Sequence, residues 1–231
     1  MTLLTVVAAA GLHAEDKPAI KSAADQPVDD KTEWQSLFDG QTLNNWDATD
    51  YGGQGSVLVK DGLLVLEAGE PLTGVTWKGK ALPTNNYEIR LEAQKVEGSD
   101  FFLALTFPVQ EKHVSLVLGG WGGGVTGISS INGFDASENE TTDYYGFDRK
   151  KWYKVRVRVT DDAIQAWLDD ERICNVETAG KRFDTRIEVD LNKPLGMATF
   201  QTVAAYRNIE YRDLTAEQSP AATEAQPRKG E

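Results

Sequence analysis

The chain has 231 residues, 40% of them hydrophobic, a single cysteine and a formal net charge of −12. The apolar share is enough for a substantial core, and the acidic balance argues against nucleic acid or anionic membrane as partners, because both select basic patches. One cysteine allows no intrachain disulfide. Cys174 sits in the apolar run Arg172–Val176 and reads as a small core residue, since a thiol nucleophile needs a cationic neighbour to activate it.

Residues 1–14, MTLLTVVAAAGLHA, form a short apolar run that ends in small residues, the pattern of a secretory signal. The run is too short to span a bilayer. It implies an exported, periplasmic or secreted protein, with no membrane insertion once the signal is removed. Residues 15–31 carry acids, lysines, Ala and Pro with almost no large apolar side chains, and residues 215–231 are alike. Neither stretch can bury enough area to offset chain entropy, so both read as disordered flanks of one domain over 32–214.

Inside that domain strand signals are dense and helical periodicity is scarce. Val57–Val59 and Leu63–Leu66 flank Asp61-Gly62, a tight-turn dipeptide. Tyr87, Ile89, Leu91 and Ala93 alternate with Glu88, Arg90, Glu92 and Gln94, the period of a strand with one wet face. Phe101–Phe107 and Val114–Leu118 are continuous apolar runs, as in strands buried on both sides. Val155, Val157 and Val159 alternate with Lys154, Arg156 and Arg158, and turns at Asp161-Asp162 and Asp169-Asp170 lead to Ile164–Leu168 and Ile173–Val176. Ile187–Leu191, Gly196–Gln201 and Tyr206–Tyr211 read as the last strands, with the two ends of the domain pairing through Trp34–Phe38 and Ile209–Leu214. About a dozen short strands at this spacing predict an all-β sandwich of two antiparallel sheets, a jelly roll rather than the smaller immunoglobulin fold. Trp34, Trp46, Trp152 and Trp167 stand in or beside these strands and are expected in the core.

Chemistry concentrates between Ser99 and Thr142. His113 is the only histidine within the domain and is a candidate general base or metal ligand. Asp100 precedes the first apolar run, at the rim of the same sheet. In the acidic loop, Asp135, Ser137 and Asn139 alternate as oxygen donors with Glu138 and Glu140 near, a weak match to a calcium loop in which Asp135, Asn139 and Glu140 would be the ligands. Trp121 lies among glycines, where an indole can stack on a sugar ring, and Tyr144 is a weaker candidate of the same kind. The glycine run after Trp121 lacks the Lys and Ser/Thr of a phosphate loop.

Several segments resemble the bacterial 3-keto-disaccharide hydrolase domain family. They are Trp34-x-x-Leu-Phe-Asp-Gly-Gln-Thr-Leu-Asn-Asn-Trp46, Lys60-Asp-Gly-Leu-Leu64, Tyr87–Leu91, Trp152–Val159 with Ile164–Asp170, and the close Tyr206–Leu214. The resemblance implies a concanavalin A-like jelly roll acting on carbohydrate, plausibly on 3-keto-glycosides. A ketone acidifies the carbon beside it, so one base and an electrophile, often a metal, suffice for elimination followed by addition of water. The likeness breaks between Ser99 and Leu118, where apolar residues stand in place of an Arg and an acid, so no catalytic acid carries over from there. Two functions follow. One is a glycoside hydrolase-like enzyme with His113, Asp100 and Glu138 as catalytic groups and Trp121, Asp135, Glu140 and Tyr144 holding the substrate. The other is a non-catalytic, lectin-like carbohydrate-binding domain built on Trp121 and the acidic loop.

Overall fold

The computed structural model describes residues 33–214, so the signal-like run, the linker and the tail lie outside the described residues. Among the described residues fifteen strands form two antiparallel sheets, a jelly-roll sandwich. Sheet one holds β1 (Gln35–Ser36), β3 (Val57–Lys60), β4 (Leu63–Leu66), β6 (Tyr87–Gly98), β11 (Trp152–Val159), β12 (Ala163–Leu168), β13 (Glu171–Glu177) and β15 (Thr202–Asp213). Its order is β13-β12-β11-β6-β15-β4-β3, with β1 paired to β15. Sheet two holds β2 (Trp46–Ala48), β5 (Leu72–Trp77), β7 (Leu103–Val109), β8 (Lys112–Gly120), β9 (Val125–Ser129), β10 (Asp143–Tyr144) and β14 (Gly196–Phe200). Its order is β10-β9-β8-β7-β14-β5-β2.

The period of two puts one set of side chains from the longer strands into the space between the sheets. β6 contributes Tyr87, Ile89, Leu91 and Ala93; β7 and β8 contribute Leu103, Leu105, Phe107, Val114, Leu116 and Leu118, all within one core. Two buried tyrosines tie the layers through their hydroxyls. Tyr87 donates to the Pro108 carbonyl and Tyr206 to the Phe102 carbonyl, each at 2.6 Å. Trp46 and Trp77 meet edge to face at 5.2 Å, and the Trp46 indole N–H reaches the Leu37 carbonyl at 2.8 Å. Cys174 is buried in the same core, where desolvation pushes its thiol up to about 12. The ends of the domain meet as expected, with Gln35 opposite Tyr211 and Ser36 opposite Glu210.

Three tryptophans depart from the expectation. Trp34, Trp152 and Trp167 cover the outer face of sheet one instead of entering the core. Arg90 and Arg212 lie 4.0 and 4.6 Å from the Trp34 ring, Arg207 4.1 Å from Trp152, and Arg156 3.6 Å from Trp167. Their wet-face partners are accordingly not all wet. Glu88 is fully buried beneath them, bonded to Arg156, Arg158 and Arg212 at 2.7, 2.8 and 2.8 Å. Burial alone would raise the Glu88 pKa, but the three guanidiniums outweigh it and hold the carboxyl below its ordinary value. The second departure is Ile187–Leu191. Alternation predicts a strand there; the chain forms a 3-10 helix over Ile187–Asn192, with Val189 and Asn192 buried three residues apart, one 3-10 turn, and Ile187 in solvent.

Removing the Glu88 carboxylate leaves three arginines packed without it. Glu88→Ala is expected to cost about 3–5 kcal/mol at pH 7, read by urea unfolding. Because the folded pKa is depressed, this stabilisation is present above the ordinary Glu value and is lost as pH falls below it. The gap between wild type and Glu88→Ala should therefore narrow in acid; a gap independent of pH would contradict the assignment.

Candidate functional site

The outer face of sheet two is built of small side chains. Ala104 and Thr106 on β7, Ser115 and Val117 on β8, Gly127 and Ser129 on β9, and Gly196 and Ala198 on β14 point away from the core, as their pairing requires. Small residues here let the 3-10 helix lie directly on the sheet. A Cβ at Gly196 would stand 2.6 Å from the Asn192 Cβ, and one at Gly74 3.1 Å from the Asn192 amide nitrogen. Asn192 is fully buried; its amide donates to Val75 O at 3.0 Å and Thr49 Oγ1 at 3.1 Å, and its oxygen accepts from the Tyr51 hydroxyl. Desolvation moves the Tyr51 hydroxyl above its usual range, keeping it a donor.

Where the helix begins, a pocket of about 280 Å³ opens between it and the end of β8. Ala104, Ser115, Val117 and Ser129 form its floor, Phe101, Val189 and Phe200 its walls, and Asp100, Trp121, Arg186 and Glu188 its rim. Trp121 is 45% exposed and stands at φ +49°, a left-handed conformation inside a tight turn whose Gly123 and Gly124 N–H groups bond Gly120 O. Asp100 fixes that turn: its Oδ2 accepts the Gly122 N–H at 2.9 Å and its Oδ1 the Phe101 N–H at 2.7 Å. Arg186 is held from two sides. One guanidinium nitrogen bonds Asp135, another donates to Glu188 Oε1 at 2.6 Å, and its carbon lies 5.6 Å from the Trp121 ring centroid. Asp135 in turn accepts from Ser130 Oγ at 2.9 Å. The bond to Arg186 is the main cause that holds Glu188 below the ordinary glutamate value; the same bond raises Arg186.

Residues 33–212 match the 3-keto-alpha-glucoside-1,2-lyase-like domain. The chain belongs to this family. Among solved structures, a Parabacteroides distasonis protein whose 1.70 Å crystal structure is described as that of a putative glycosyl hydrolase is similar at 13% identity. The match covers 79% of this chain and 94% of that one, with a TM-score of 0.52. A Bacillus subtilis protein of unknown function with a galectin-like fold is similar at 10% identity and the same TM-score, over 75% of this chain and 92% of that one. Both likenesses concern the fold. No curated protein matches the sequence.

Of the residues expected at a site, this lyase-like domain brings together Asp100 and Trp121, with Asp135 behind Arg186. Asp100, expected as a catalytic group, holds the turn with both oxygens. His113 lies on the same face as Ser115, one pleat away, half-buried beside Asp190 and Lys193, and does not line the pocket. Burial is the main cause that lowers its pKa, Lys193 adds to the shift and Asp190 opposes it. Glu138 is exposed, Tyr144 is exposed, and Glu140 pairs with Lys181; none lines the pocket. The three residues expected as calcium ligands make other bonds. Asn139 spends its amide on the Ile128 and Phe134 carbonyls and its oxygen on Thr141, while Asp135 is bonded to Arg186. Among the described residues no group of three or more His, Cys, Asp or Glu side chains is placed to hold a metal ion. Arg186 and Glu188 were not legible beforehand; their only local signal is the alternation that reads as a wet strand face.

Asn192 fixes the wall that carries Glu188. Asn192→Ala should cost about 1–3 kcal/mol and speed amide hydrogen exchange over residues 186–193 more than elsewhere. Unchanged exchange in that stretch would show that the helix is held by other contacts.

Proposed function

We propose that the pocket seats a glycoside and that the chain cleaves 3-keto-glycosides by elimination. The observation that carries this reading is Arg186, a guanidinium fixed by two carboxylates beside an exposed indole, at the mouth of a pocket with apolar walls. Trp121 offers a stacking face for a pyranose. Arg186 offers N–H donors to a ketone oxygen at C3, where negative charge develops when the C2 proton leaves. Glu188, whose two oxygens accept from Arg186 at 2.6 and 3.2 Å, takes that proton through a remaining lone pair. The C1–O bond then breaks, the electron pair from C2 forms the C1–C2 double bond, and the departing alkoxide takes up the proton. Addition of water across the double bond completes net hydrolysis.

Acid-catalysed hydrolysis by paired carboxyls fits less well. It needs one carboxyl kept protonated by a raised pKa. Glu188 is shifted the other way by Arg186, and Asp100 has both oxygens engaged with backbone N–H groups. A carboxylate base with a fixed cation is what elimination uses.

A purified sample should therefore convert a 3-keto disaccharide to 3-keto-glucose and leave the same disaccharide without the ketone intact. Glu188→Gln should lower kcat by about 10²–10⁴ and Arg186→Ala by about 10²–10³. Equal cleavage with and without the ketone would sink the eliminative reading. The lectin-like reading is supported by Trp121, whose indole is presented to solvent by a turn that Asp100 rigidifies. On that reading glycan affinity exists without turnover, and Trp121→Ala removes it while thermal stability is kept; an affinity that survives the change excludes this pocket. Export is part of the proposal, supported by the apolar run 1–14, and is checked by the mature N-terminus of secreted protein.

A further inference from the structure

We infer that the deep end of the pocket favours an aromatic aglycone, so that aryl glycosides are cleaved in preference to disaccharides; this rests on the reading above. The rim and the floor differ in chemistry. Charged groups lie only at the partly exposed rim, at Asp100, Arg186 and Glu188. Below them Ala104, Val117 and Val189 are buried, and the Phe101 and Phe200 rings, 5.8 Å apart and tilted by 49°, form an apolar wall. The only polar side chains on the floor are Ser115 and Ser129. Both already bond within the protein, Ser115 with Thr106 Oγ1 at 2.8 Å and Ser129 as acceptor of the Ala136 N–H at 2.9 Å.

A second sugar placed there would bring several hydroxyls to a surface with two partly engaged partners, and each buried hydroxyl left unpaired costs about 1–3 kcal/mol. A flat apolar ring makes no such demand. The room suffices: a cavity of about 150 Å³ admits benzene, and this pocket measures about 280 Å³. The sugar would then lie at the mouth, against Trp121 and within reach of Arg186 and Glu188, with its aglycone directed to the floor.

The test compares benzyl and glucosyl 3-keto-glucosides that share one sugar and one anomeric configuration and both lose an alkoxide. The benzyl substrate should have a kcat/KM at least about tenfold higher, as burial of one ring in apolar surroundings supplies. Val117→Thr, close in volume but polar, should reduce that ratio, and its melting transition reports whether the fold is kept. Should Val117→Thr fail to fold, inhibition of wild type by phenol replaces it; competitive inhibition supports the inference and its absence opposes it. A ratio of one or below overturns the aromatic aglycone and leaves eliminative cleavage standing. If neither compound is cleaved, the eliminative reading fails. The aglycone is then read by calorimetry with phenyl and methyl glucosides: tenfold tighter binding of the phenyl compound supports it, and equal binding overturns it.

Discussion

Sheet two is buried on both of its faces along β7, β8 and β9, and this double burial organises the molecule. Toward sheet one the strands send large apolar side chains that fill the gap between layers. Toward the outside they send Ala, Ser, Thr, Gly and Val, which neither hold a second core nor repel one. A face of that kind admits a thin covering element, and the 3-10 helix lies on it through Val189 and Asn192. The covering stops at Arg186, and the uncovered end of the small-residue face is the pocket.

The outer face of sheet one meets the same problem by another route. Its long charged side chains are laid flat over three tryptophan rings, so that aliphatic stems and guanidinium planes shield the sheet while the heads pair with Glu88, Glu92 and Glu210. A central carboxylate with three guanidiniums keeps a buried charge tolerable, because each lone pair has a donor. One sheet face is thus closed by ion pairs and rings, the other by a helix with an opening at its end. The charged groups of the proposed site stand at that opening.

At that opening the charges are held before any ligand arrives. Arg186 is clamped by Asp135 and Glu188, Asp135 is bonded by Ser130, and the Trp121 turn is fastened by Asp100. Groups already in place need no reorganisation when charge develops on a bound molecule, which is the physical basis of electrostatic stabilisation. The pairing of Arg186 with Glu188 favours the carboxylate form of the acid, and the proposed elimination rests on that form.

The sequence alone carried the fold a long way. Alternation in Tyr87–Ala93 and Trp152–Val159, the continuous apolar runs from Phe101 to Leu118 and the Asp-Gly turn at Asp61 report local geometry, because period two and turn chemistry are properties of neighbouring residues. Trp121 and Asp100 were recognisable for the same reason, as an indole among glycines and an acid at a strand entry. The tertiary structure decided what depends on distant residues. Alternation cannot tell which face of a strand meets the other sheet, so Trp34, Trp152 and Trp167 went to the outside against arginines. Nor can it tell a wet strand from a 3-10 helix seated by Asn192, whose buried amide is satisfied by Thr49, Tyr51, Val75 and Thr76, far away in the chain. Arg186 and Glu188 reach Trp121 and Asp100 because that helix is docked there, and no spacing in the sequence encodes the meeting.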